Sequence, residues 1–155
     1  LLRDSLLEKE WEILSPCLHQ SVCPALGMTE GVCYSYFSWD PPPVLKKIAS
    51  CSGVSKHTVK MTYFILKKKD QKTSTPLKSV FRVISYPMHN KAGRTRLLLC
   101  GPEGKTTFSA RKGENFPAIT TFFSLERGNC IEILNPEKRE NGLGVGPQTK
   151  IFRVS

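Results

Sequence analysis

Short apolar segments separated by polar or glycine-containing turns dominate the chain from residue 59 onward. Most are rich in β-branched and aromatic residues, and several alternate between apolar and polar positions, which is typical of half-buried β-strands. The segments predicted as strands are VKMTYFIL (59–66), SVFRVISY (79–86), TRLLLC (95–100), KTTFSARK (105–112), ITTFFSL (119–125), NCIEIL (129–134) and TKIFRV (149–154). Such a series predicts an α+β, mainly β fold: a small barrel-like domain with an N-terminal cysteine-rich loop and short helices.

The connections between these strands are predicted in more detail. Residues 59–66 carry apolar side chains on both faces of an extended strand. This pattern predicts a central strand that leads into a basic loop at lysines 67 to 69. A flexible connector is predicted over residues 69–76, and the GPEG turn (101–104) joins two strands into a hairpin. The GLGVG segment (142–146) is followed by a strand and not by a helix, so it predicts a flexible hairpin loop instead of a nucleotide-binding loop.

Residues 1–11 have helical periodicity. Leu2, Leu6 and Leu7 share one face, and the charged residues, Arg3 among them, lie mostly off it. Because the chain begins with Leu1 and not with methionine, we expect residues 1–14 to be the end of an upstream domain. The predicted division continues with a cysteine-rich loop and short helix (15–58) and a basic β-barrel-like domain (59–155).

A second helix is predicted after Trp39. Asp40 is the expected cap, and the prolines at 41–43 suit a first helical turn. Val44, Ile48 and Cys51 then follow at i, i+4 and i+7 and place Cys51 on a packing face, and Gly53 ends the helix.

Ser15 to Trp39 contains three cysteines without regular periodicity, as expected of a loop wrapped around a ligand. These are Cys17, Cys23 and Cys33, and Cys100 is the best fourth candidate because it ends an apolar strand directly before a tight turn. Four thiolates suit structural zinc or an iron–sulfur cluster. The wide, uneven spacing favours the cluster, although His19 is an alternative for one cysteine.

Two other interpretations of the cysteines remain open at this stage. Free cysteine is among the most buried residue types and often only packs in a core. Six cysteines also allow three disulfides in a secreted domain. A chain of 155 residues with 39% apolar composition is, however, long enough to build a core without disulfides.

The charge balance points to a polyanionic partner. The 23 basic and 13 acidic residues give a net charge of +10, which favours RNA. No apolar run is long enough to span a membrane. His57 and His89 stand alone in basic segments and are assigned to the surface, and no catalytic arrangement is evident. The residues predicted to contact RNA phosphates are Lys67, Lys68, Lys69, Lys91, Arg94, Arg96, Arg111 and Lys112.

Four short motifs follow one another along residues 16–104. They are Pro16-Cys17-Leu18-His19 with Cys23-Pro24, then Cys33-Tyr34-Ser35 running on to Phe37-Ser38, then TYFILKKK (62–69), then Cys100-Gly101-Pro102-Glu103-Gly104. In order and approximate spacing they resemble the C-terminal part of the methyltransferase-like proteins associated with the small subunit of bacterial-type and mitochondrial ribosomes. The likeness covers roughly residues 1 to 112.

The resemblance implies a 4Fe–4S cluster on Cys17, Cys23, Cys33 and Cys100, with zinc as the alternative metal. It also implies a role in small ribosomal subunit assembly and translation through ribosomal RNA, in the mitochondrial matrix or, for a bacterial protein, the cytoplasm. In that family an adenosylmethionine-binding Rossmann domain precedes this part, and it is the expected partner of the present chain.

Two other function classes are kept alongside this one. In the first, the chain is the substrate-recognition part of an active adenosylmethionine-dependent RNA methyltransferase. In the second, it is a zinc-bound interaction module without an RNA role. In each case the chain alone is expected not to be catalytic.

Overall fold

The computed structural model of the protein describes residues 2–27, 33–54, 57–69 and 79–154. It is mainly β, with 40% strand and 18% helix, and its large sheet curls into a half-barrel. The predicted fold class is therefore confirmed. Of the connector predicted over residues 69–76, only Lys69 lies within the described residues.

Three short α-helices and twelve strands make up the described part of the chain. The helices are α1 (Leu2–Glu8), α2 (Pro43–Ser52) and α3 (Ile119–Phe123), with a 3₁₀ turn at Pro24–Gly27. The strands are β1 (Trp11–Ser15), β2 (Ser35–Ser38), β3 (Thr58–Met61), β4 (Ile65–Lys68), β5 (Val80–Val83), β6 (Met88–His89), β7 (Arg94–Gly101), β8 (Gly104–Arg111), β9 (Cys130–Leu134), β10 (Glu137–Arg139), β11 (Gly142–Gly144) and β12 (Lys150–Val154).

Eight strands form the large sheet, in the order β10-β11-β8-β7-β5-β9-β12, with β6 paired to β7. The predicted hairpin is present as β7 and β8, which pair along their whole length. Side chains alternate along β7: Leu97 and Leu99 are buried in the core, whereas Leu98 and Cys100 line a cavity. One face of the sheet therefore carries the hydrophobic core, and the other faces the cysteine-rich segment.

The core contains an aromatic pair that explains one wrong prediction. Residues 119–125, predicted as a strand, contain helix α3 instead. Ala118, Phe122 and Leu125 are the buried positions, and their spacing of i, i+4 and i+7 is helical. Phe122 packs edge-on against Phe108 with ring centroids 5.1 Å apart. The β-branched and aromatic composition indicated a strand, but this packing overrode it.

The strand predicted over residues 59–66 is also wrong, because this segment belongs to two small sheets. β3 pairs with β2, and β4 pairs with β1. Residues 62–64 leave the strand between them, and Tyr63 and Phe64 line the cavity. The segment is apolar at both parities because it contributes to two sheets and to a cavity wall.

Helix α2 ends where predicted, with Gly53 in the left-handed conformation at φ 69°, but it begins two residues later than a cap at Asp40 would give. Asp40 is not its cap: Pro42 occupies that position, and Asp40 forms an exposed ion pair with Lys46 at 2.8 Å. The predicted packing of Cys51 is wrong as well, because Cys51 is exposed and α2 has no buried residue. Periodicity shows which residues share a face, but it does not show that another element covers that face.

The GLGVG segment contributes a strand, so the predicted flexible hairpin loop is wrong. β11 pairs with β10 and runs parallel to β8. Gly142 has φ +130°, and a Cβ there would collide with the carbonyl of Thr107. The glycine allows close strand pairing, which composition alone does not distinguish from a loop.

Candidate metal centre

Four cysteines line one cavity of about 520 Å³ between the cysteine-rich segment and the outer face of β7. They are the four predicted ligands, Cys17, Cys23, Cys33 and Cys100. All are half-buried free thiols. The structure therefore brings to one place residues that lie far apart in the sequence.

Each cysteine is held by a local structure with its own hydrogen bonds. Cys17 follows β1 and Pro16, Cys23 precedes the 3₁₀ turn, and Cys33 lies just before β2. The Gln20 side chain fixes the first of these loops, because its amide donates to the Ile13 carbonyl at 2.8 Å and accepts from the Ile13 N–H at 3.1 Å. This pairing holds the irregular backbone against β1.

His19 is buried and contacts one of the four thiols. Its Nε2 lies 3.4 Å from the Cys100 Sγ, and its Nδ1 lies 2.7 Å from the Ser21 hydroxyl. Burial, and then the nearby Arg3 charge, lower the pKa of His19. A neutral imidazole in this position can donate to a Cys100 thiolate or accept from its thiol. His19 is thus placed as a hydrogen-bond partner of Cys100.

Arg3 is the main site residue that sequence reasoning missed. It is only 5% exposed. Its Nε donates to the Cys17 Sγ at 3.4 Å, and its terminal nitrogens donate to the His19 carbonyl at 2.9 Å and to Asp4 at 2.8 Å. A buried cation therefore ties helix α1 to the cysteine loop.

Two further arginines lie near the cysteines, Arg82 on β5 and Arg127 in the turn before β9. Arg82 donates to the Ser35 hydroxyl at 3.2 Å, and Arg127 donates to the Tyr34 carbonyl at 3.3 Å. Both charges act to lower the pKa of the Cys33 thiol, although burial outweighs them and the pKa is raised. With Arg3, three guanidinium groups lie near the cysteines, and their charges favour the thiolate forms of these side chains.

The thiols disfavour one another as thiolates. Burial first, and then the charges of Cys17, Cys33 and Cys23, raise the pKa of Cys100 to about 12. Metal ligation requires deprotonated cysteine, so a bound cation must displace these protons. At neutral pH the Cys100 side chain is therefore an uncharged thiol unless a bound cation compensates its charge.

The separation of the thiols bears on which metal suits the cavity. Zinc bonds of about 2.3 Å place tetrahedral sulfur ligands about 3.8 Å apart. Among the described residues, no three His, Cys, Asp or Glu side chains are grouped closely enough for a single ion. In the arrangement described, the four thiols thus line the cavity without forming a closed tetrahedral site.

The remaining cysteines and the two exposed histidines do not line this cavity. Cys51 is exposed on α2, and Cys130 lies on β9 with its Sγ 4.0 Å from Arg82. All six cysteines are free. His57 and His89 are exposed.

The predicted RNA-binding residues fall into two groups. Lys67 and Lys68 lie on β4 opposite Glu12 and Trp11, and the Lys69 N–H donates to the Glu10 carbonyl at 2.8 Å. They therefore belong to a small sheet and not to the predicted basic loop. The other five residues lie around the open end of the β7–β8 hairpin, opposite its turn, where Arg94 is the cross-strand partner of Arg111. We call this region the hairpin end. These five are Lys91, Arg94, Arg96, Arg111 and Lys112.

Part of the hairpin group faces acidic residues. Arg94 and Arg96 line a groove that also contains Glu114, Glu137 and Glu140. These carboxylates reduce the positive potential of the groove. Lys91, Arg111 and Lys112 do not line it, and they are exposed at the hairpin end. This end is consequently the stronger electrostatic candidate for phosphate contact.

Comparison with protein-family models, curated proteins and solved structures found no match for this chain. Among the helices of the described segments, none has the length and apolar character needed to cross a membrane.

Proposed function

We propose that this chain holds a 4Fe–4S cluster on Cys17, Cys23, Cys33 and Cys100 and contacts ribosomal RNA as the C-terminal part of a methyltransferase-like protein acting in small ribosomal subunit assembly. The observation that carries this proposal is the convergence of the four cysteines on one cavity. The motif resemblance supplies the family, and the net charge of +10 supports an RNA partner.

The residues around the cavity fit such a cluster. Four thiolates around a cationic iron–sulfur core leave net negative charge, and Arg3, Arg82 and Arg127 offset it. His19 is placed to donate a hydrogen bond to a Cys100 thiolate at 3.4 Å. Hydrogen bonds and charges near the sulfurs are the means by which proteins stabilise such clusters.

The proposed role of the centre is structural. A cluster supplies bonds that join the cysteine loop to β7. Side-chain hydrogen bonds already connect that loop to its neighbours: those of Gln20 reach β1, that of Arg3 comes from α1, and that of Arg82 comes from β5. Among the described residues of the loop, few apolar side chains are buried, so covalent links would supply order that hydrophobic packing does not. The ordered loop and the β7–β8 hairpin then form one RNA-facing unit.

The test is an anaerobic absorption spectrum with iron, sulfide and zinc analysis of freshly purified protein. We expect a broad visible band and about four irons per chain, because four cysteines ligate one cubane. One zinc and no iron would retain the four-ligand site but reject the cluster. The absence of both metals from protein prepared without oxygen would reject the metal centre.

The RNA part of the proposal predicts a change in salt dependence. Replacing Arg111 and Lys112 together with alanine is expected to lower the slope of log affinity against log salt by about 0.7 for each lost single-strand phosphate contact. Fluorescence anisotropy with labelled ribosomal RNA fragments, between about 50 and 200 mM salt, measures the slope.

The matched control for this pair is Lys138 and Lys150, two exposed lysines on β10 and β12 at the opposite edges of the sheet. Their replacement with alanine removes the same charge and is expected to change the slope less. Equal changes for both pairs would indicate that net charge acts alone and that the hairpin end is not a contact site.

A further inference from the structure

A cluster of aromatic and basic side chains lies beside the cavity and is not explained by the metal centre. Its members are Tyr34, Tyr36, Lys60, Tyr86 and Arg127, and we call it the tyrosine platform. They come from β2 and the residue before it, from β3, from the segment after β5 and from the turn before β9. None was predicted from the sequence as a binding residue.

The geometry of the platform combines exposed ring surface with cations. Tyr36 and Tyr86 pack with ring centroids 5.4 Å apart, and Tyr86 is 47% exposed. The Arg127 guanidinium lies 3.8 Å from the centre of the Tyr34 ring and 5.8 Å from that of Tyr86. The Lys60 ammonium lies 5.0 Å from the Tyr34 ring centre.

The β2–β3 pairing explains why these groups share one face. Tyr36 is the direct cross-strand partner of Lys60, so both side chains project from the same side of the small sheet. Tyr34 has the same parity as Tyr36, and its contact with Lys60 places it on that side too. Since Tyr34 follows Cys33 and lines the cavity, the platform is contiguous with the proposed metal centre.

Proteins that bind single-stranded nucleic acids commonly do so through exposed aromatic rings flanked by lysine and arginine side chains. Each unpaired base stacks on an aromatic ring or guanidinium plane while lysine and arginine neutralise its phosphates. Tyr86 keeps nearly half of its surface open to solvent, so part of its ring is accessible to a base. A double-stranded partner offers phosphates but no free base faces to stack here.

We infer that the tyrosine platform binds unpaired bases of single-stranded RNA by stacking on Tyr86 and Tyr36, with Lys60 and Arg127 contacting the adjoining phosphates. This inference rests on the proposed RNA-binding function and extends it to the structural class of the RNA. It also assigns base contact to the small β2–β3 sheet and leaves phosphate contact to the hairpin end.

The experiment measures affinity by fluorescence anisotropy for a labelled uridine oligonucleotide of roughly ten residues, within the usual site size of such surfaces. Tyr86→Ala is expected to weaken binding roughly fivefold to a hundredfold, and Tyr86→Phe or Tyr86→Trp to remain within about threefold of wild type, because both keep a stacking ring. An oligonucleotide of equal length with abasic sugars should bind the wild type weakly and be insensitive to Tyr86→Ala. A duplex of the same sequence should respond like the abasic probe.

Phe152 provides the matched control because it is 48% exposed and lies on the edge strand β12. Phe152→Ala should leave affinity unchanged. Unaltered binding by Tyr86→Ala and Tyr36→Ala, or equal wild-type affinity for the abasic and uridine probes, would overturn the platform while leaving charge-based RNA binding in place. No binding of any RNA by the wild type would overturn the platform and the proposed function together.

Discussion

Replacement of Cys100 with serine is expected to abolish iron binding and to destabilise the domain by about 5 kcal/mol or more, a part of the roughly 10–16 kcal/mol that structural zinc supplies to small metal-dependent domains. Serine keeps the size and the thiol's hydrogen-bonding role toward His19 but is not a cluster ligand. Cys100 also anchors the cavity to the rigid strand β7, so its loss frees the loop from the sheet. Metal analysis and thermal unfolding followed by circular dichroism measure the two effects, and a shift of roughly 10–20 °C in Tm is expected.

Cys130→Ser and Cys51→Ser are the controls for this substitution. Cys130 is half-buried like Cys100, and both residues are cross-strand partners of Arg82, but Cys130 does not line the cavity. Cys51 is exposed. Both variants should retain the iron content of the wild type, and Cys51→Ser should leave Tm unchanged. If Cys130→Ser lost as much iron as Cys100→Ser, the ligand set would be wrong.

The choice of these four cysteines as candidate ligands rests on two independent features of the sequence, and it stays a prediction. Cys17, Cys23 and Cys33 lie in irregular backbone, and Cys100 ends a strand before a tight turn. Irregular backbone needs a further interaction to hold it in place, and a bound metal supplies one. Their convergence on one cavity depended on a register that sequence does not contain. Cys100 faces the loop and not the core because Leu97 and Leu99 occupy the opposite parity of β7.

Residues that depend on tertiary contacts were not predictable. Arg3 was placed off the apolar face of α1, where a charged side chain normally meets water. In the structure, the Cys17 thiol and the His19 carbonyl replace that water. Tyr36 and Tyr86 likewise meet only because two segments distant in sequence pack together. Local sequence patterns predict whether a residue is buried or exposed. They do not predict contacts with residues distant in the sequence, and both of these sites are built from such contacts.

Arg3→Leu is expected to lower the free energy of unfolding by about 3 kcal/mol, because it removes the buried cation of an ion pair whose carboxylate is only partly buried. Asp4 would lose its cation while its Oδ2 is already buried without a partner among the described atoms. Cys17 and the His19 carbonyl would also lose their donors. Urea denaturation measures the stability, and the half-life of bound iron in a chelator measures the effect on the centre. Arg153→Leu, on an exposed arginine that bonds Ser124 at 2.7 Å, is the control and should change neither.

A double variant separates the two roles of Arg3. Arg3→Leu with Asp4→Leu removes the whole ion pair, and replacing both partners with apolar groups is often neutral for stability. We therefore expect the double variant to recover most of the lost unfolding free energy but to release iron as fast as Arg3→Leu, since the guanidinium that faces Cys17 is still missing. Recovery of both properties would show that Arg3 acts only by compensating Asp4. Fast iron loss from a stable double variant would instead show that the Arg3 charge stabilises the thiolate ligands. This test gives the same answer whether the bound group contains four irons or fewer.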